Sequence, residues 1–183
     1  MRHKIFSGSF FTAVLLLATL LAVGIRAQAA TPKDSPQVTK LLEDIKTQAA
    51  DLQKDSDELE SFTHSDLSWE SHAQELNLIK ERINAIGETI KKLHSLRPSA
   101  SPWQREAIDR IIPVAQTLAS NTTAAIEHVN KNPKHLQDPQ YQQYLKSNAE
   151  AAVTLASLVK DFVEYGKTRT SLEALERKLE VPQ

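Results

Sequence analysis

Cysteine is absent from this sequence, and the single methionine is residue 1. Without thiolates the chain can hold no iron–sulfur cluster and no haem attached through C-x-x-C-H. With no methionine after Met1, the Met/His haem ligation used by some helical bundles is also excluded. The fold has no disulfides to draw on and must be held by burial of apolar side chains. Glycine is scarce, and only Gly87 and Gly166 lie beyond residue 29. There is no glycine-rich loop to cradle a phosphate and no nucleophile-elbow motif, nor is there an H-E-x-x-H pair. Glu-x-x-His, the ligand spacing of di-iron bundles, is missing as well. No stretch of useful length alternates apolar and polar residues with period two, so no strand is expected.

The first 29 residues have the pattern of an export signal. Arg2, His3 and Lys4 form a charged start, an apolar run extends from Phe10 to Val23, and Ala27-Gln28-Ala29 is an A-x-A cleavage site. Cleavage after Ala29 would make the protein secreted or periplasmic. The apolar core is shorter than the ~20 residues of a spanning helix, so a membrane association is expected only if the segment stays attached. Without residues 1–29 the chain carries 19 Lys+Arg against 23 Asp+Glu, a net charge of −4. That acidic balance excludes nucleic acid as an expected partner.

What remains is patterned as helices. Ser35-Pro36, Ser101-Pro102 and Asp138-Pro139 each place a capping side chain before a proline, whose missing N–H costs nothing in a first helical turn. Ser65, Asp66 or Ser68 can cap a further start, and Ser101 with Gln104 fits a capping box. Apolar residues recur at threes and fours through about 36–62, 68–95, 102–131 and 139–165, each ~40 Å long at 1.5 Å per residue. The short connections make each helix turn back along its predecessor. The expected fold is all-α: an antiparallel up-down-up-down four-helix bundle over 36–165, after a linker at 30–35. Pro113 falls inside the third helix. Gly166 is read as a left-handed cap, and Thr170-x-x-Glu173 as a capping box opening a short fifth helix within 166–183; the alternative is a kinked continuation of the fourth helix through Gly166.

This topology brings the first and third turns to one pole, and with them His64, His72, His128 and His135. Imidazoles with nearby carboxylates suit zinc or copper, so these four are the candidate metal ligands, although none has a tight ligand spacing. The plainer expectation is that they titrate independently in the solvated turns. Trp69, Tyr141 and Tyr144 are candidates for an aromatic rim at the same pole. Leu172, Leu175 and Leu179 form a narrow stripe that could meet a partner protein or another copy of the chain. Lys91, Lys92, His94 and Arg97 end the second helix as cations at its negative end, and Asn121-Thr122-Thr123 matches a glycosylation sequon. No catalytic set stands out and no cofactor is implied. The reading is a non-enzymatic exported helical bundle acting as an interaction, scaffold or envelope-associated module; a metal or small-ligand carrier using the histidine pole is the alternative.

Overall fold

A computed structural model describes residues 33–180, so the export-signal reading of residues 1–29 lies outside the described residues. The described chain is all-helical and four helices pack together: α1 (Pro36–Ser61), α2 (Trp69–Leu96), α3 (Pro102–Lys131) and α4 (Pro139–Leu179). Single 3-10 turns, Phe62–His64 and Arg97–Ser99, follow α1 and α2. The starts coincide with the capping signals. Ser35 Oγ accepts from the Val38 N–H, Ser68 Oγ from the Ser71 N–H, and Asp138 from the Gln140 N–H, with proline opening α1, α3 and α4. Pro113 lies inside α3 without ending it.

Cross-helix bonds give the directions. Asp55 meets Arg82 and Gln48 meets Thr89, so α1 and α2 run antiparallel. Thr122 pairs with Asn148 near one end of the α3–α4 contact, and Trp103 meets Gly166 near the other, so these two are antiparallel as well. Between them lies one core, in which Leu42, Ile45, Leu52, Leu76, Ile79, Ile86, Ile111, Leu118, Leu155 and Val159 are fully buried. These are the residues of the predicted stripes, and their burial is the main favourable term.

Polar residues fix the register of this core. Gln104 has no exposed surface. Its Oε1 accepts from the Ser35 and Ser101 N–H groups at 2.9 and 3.1 Å, while Nε2 donates to Ser35 O and Thr39 Oγ1, each at 3.0 Å. One carboxamide thus ties the starts of α1 and α3, where sequence suggested only a local cap. In the α3–α4 seam Asn148 Nδ2 donates to Thr122 Oγ1 at 2.8 Å, both residues being buried. Asp55, also buried, pairs with the half-buried Arg82.

The C-terminal reading needs correction. Among the described residues there is no fifth helix, because α4 runs unbroken for 41 residues through Gly166 to Leu179. The left-handed cap is Glu180, with φ 53°. Gly166 instead makes room for Trp103, since a Cβ there would lie 2.7 Å from the indole Cη2. Thr170, read as an N-cap, returns its hydroxyl to Gly166 O at 3.0 Å, and Glu173 bonds Arg169 at 3.2 Å. Both are interior residues of one helix.

Glycine to alanine inside a helix normally stabilises by about 0.5–1 kcal/mol. Gly87→Ala, with nothing within 4 Å of its added carbon, is expected to raise the denaturation midpoint in urea. Gly166→Ala is expected to lower it, by about 1–3 kcal/mol of overpacking. Equal responses at the two sites would refute the close-approach role of Gly166.

Candidate functional site

The pole that joins the α1–α2 and α3–α4 turns holds a buried polar cluster. Tyr141, in the first turn of α4, has no exposed surface, and His72 in the first turn of α2 is 2% exposed. Tyr141 Oη and His72 Nδ1 share a 2.8 Å hydrogen bond. Phe62 meets the His72 ring edge-on at 5.3 Å between centroids, and His128 of α3 stacks on Tyr141 at 5.1 Å with planes 20° apart. The His128 Nε2–H in turn donates to His135 O at 3.1 Å, which ties the α3–α4 connection down. Every helix reaches this plug, α1 through Phe62 just past its last turn.

The pole therefore exists as expected, but its members differ in role. His72 and His128 come together around Tyr141. His135 contributes its backbone carbonyl while its side chain faces solvent, and His64 is exposed. Among the described residues no group of three or more His, Asp or Glu side chains is placed to hold a metal ion. The expectation of independently solvated histidines is corrected for His72: burial, which disfavours the charged form, holds its imidazole below the usual value of 6.5. The same effect pushes the Tyr141 phenol up, so the pair stays neutral across the physiological range. Neutral, hydrogen-bonded groups can be buried at modest cost.

The aromatic rim is corrected likewise. Tyr141 belongs to the core, Tyr144 is half-buried against it, and Trp69 is 44% exposed. Of the two tryptophans it is Trp103, 8% exposed, that covers an end of the core. Its Nε1–H donates to Asp34 Oδ1 at 2.7 Å and its ring meets Tyr165 edge-on at 5.6 Å.

The leucine stripe is placed quite differently. Leu172, Leu175 and Leu179 are 55, 55 and 68% exposed, on the part of α4 that runs past the bundle. Among the described residues, Arg169, 3.9 Å from Asp34, is the last in α4 with an ion pair to another part of the chain. From there the helix continues for ~15 Å, ten residues at 1.5 Å each. The basic residues at this end are largely paired: Arg97 makes two bonds to Asp109 at 2.7 and 2.5 Å, Lys91 bonds Glu88, and Lys167 bonds Glu43 at 2.8 Å. Asn121 sits mid-α3 beside the buried Thr122. A shallow groove of about 200 Å³ between α2 and α3, lined by Lys80, Ile83, Thr122 and Ile126, is smaller than the ~300–1,000 Å³ of ordinary ligand sites.

Comparison with known proteins found no matching family model, no matching curated protein and no matching solved structure. No described helix is long and apolar enough to cross a membrane.

The sign of the pH dependence follows from His72. Its folded pKa lies below the unfolded one, so the unfolded chain binds more protons as pH falls through about 6.5. The stability this neutral imidazole contributes is full above that value and is lost below it. Urea melts of the protein between about pH 7.5 and 5 should show falling stability, with a shallower slope for His72→Gln. Identical slopes would mean that His72 titrates as if in water.

Proposed function

We propose that this chain is an exported, non-enzymatic helical-bundle protein that works as an interaction or scaffold module of the cell envelope or exterior. It docks a protein partner through the leucine face of the α4 extension. The observation that carries the reading is the exposure of Leu172, Leu175 and Leu179 together on one helical seam beyond the core. Single exposed leucines are ordinary, but a repeated apolar seam on a projecting helix is the form in which helices recognise one another. The export pattern of residues 1–29 supports the location, and the acidic balance of the remainder disfavours nucleic acid. The His72–Tyr141 plug supports the same division of labour: its polar atoms are used in closing the bundle, which leaves the extension as the surface open to a partner.

A photo-crosslinking amino acid at position 175, introduced in living cells of the native host, tests this reading. It is expected to capture a protein, whereas the same probe at Val153, an exposed residue on the flank of α4, is expected not to. Equal capture at both positions, or none at 172, 175 and 179, would overturn the docking role.

A further inference from the structure

The extension can be read as a coiled-coil seam, and its residues specify what lies against it. Tyr165, Leu172 and Leu179 repeat at sevens, with Thr168 and Leu175 between them, which is the a/d pattern of a heptad. At 100° per residue, the three leucines lie about 180–240° around α4 from Gly166, which faces the bundle. The seam therefore points away from the protein's own core. Tyr165 is 49% exposed and continues it back to the level of Trp103.

We infer that the occupant is a second copy of this chain, whose α4 extension packs antiparallel on the first about a two-fold axis between residues 173 and 174. This rests on the docking reading of the extension and gives the partner its identity. In that register Leu172 of each copy meets Leu175 of the other, and each Leu179 meets Thr168 near the mouth of the opposite bundle. Arg169 of one copy flanks Glu176 of the other, and the symmetry repeats this pairing of opposite charges. The helical overhang also has the right length, since α4 of one copy ends at Leu179, level with the point where the other enters its bundle.

The parallel alternative keeps one attractive pair, Glu164 with Arg169. It places Thr168 on Thr168, however, and one heptad further in it sets Asp161 against Asp161 across the seam, where like charges repel. The antiparallel register sets Asp161 of one copy past Leu179, where the α4 helix of the other ends. Two or three apolar layers make a small interface, so the dimer should be weak and concentration-dependent.

Residues 30–183 contain the buried core of the described residues and suit sedimentation over about 5–500 µM. A reversible monomer–dimer equilibrium is expected, with the dissociation constant raised at least about tenfold by Leu175→Glu and the thermal midpoint nearly unchanged, because the leucine is exposed. Arg169→Glu should weaken the dimer, and adding Glu176→Arg should restore it; these positions are seven apart on one helix, so the rescue acts between copies. Restoration by Glu164→Arg instead would overturn the antiparallel register. If the protein stays monomeric while the probe at 175 captures a chain of different mass, the second copy is wrong and the docking reading stands. If it stays monomeric and position 175 captures nothing, both fall.

Discussion

The close approach of Trp103 to Gly166 is the constraint on which the rest of the molecule turns. Only a residue without a Cβ lets the indole lie against the α4 backbone at that height. Once there, the ring donates to Asp34 just ahead of α1, begins α3, and touches Tyr165 of α4. Three segments distant in sequence are clasped at one pole, and Asp34 passes the clasp on to Arg169. Because α4 is held there without being ended, it leaves the bundle as a helix and takes its leucines out of reach of the core.

The two poles close by different physics. At the Trp103 end a large apolar ring covers the core and directs its one polar atom outward to a carboxylate. At the other end Tyr141 and His72 are buried, so a hydrogen bond must replace two lost to water. Such a pair adds little net stability, but it discriminates between packings: a slip of α2 against α4 by one turn would leave a phenol and an imidazole buried without partners. Gln104 imposes the same condition on α1 and α3 with a single amide whose donors and acceptor are all engaged. The long apolar stripes alone would tolerate several registers.

Most of the architecture was legible in the sequence because its signals are local. Prolines behind capping side chains mark three helix starts, and spacing by threes and fours names nearly every core residue. The errors concern residues whose meaning depends on something far along the chain. A glycine followed by Thr-x-x-Glu can end a helix or admit a neighbour, and the neighbour that decides between these is Trp103, 63 positions away. His72 looked like turn chemistry because acids and serines surround it in sequence; Phe62, Tyr141 and His128 surround it in space. The same holds for Asp55, whose partner Arg82 lies across the α1–α2 seam. A signal did exist for His72 and Tyr141, since each continues the heptad of its own buried stripe, His72 four before Leu76 and Tyr141 four before Leu145. Polarity argued against reading them as core.

Helical structure in the extension does not by itself argue for a partner. The bundle supplies the costly nucleus, so each further residue needs only to propagate the helix, and leucine, glutamate, lysine and arginine all propagate it well. Arg169–Glu173 and the hydroxyl of Thr170 add local support. What propagation does not account for is the placement of the apolar residues. Glutamate or lysine at 172, 175 and 179 would extend the helix equally well and leave no apolar seam in water. Leucine at all three, spaced by three and four on the face opposite Gly166, costs solubility and gains nothing within this fold. A surface of matching period would cover it, and in the proposed dimer the α4 of another copy brings that period and the complementary charges of Arg169 and Glu176.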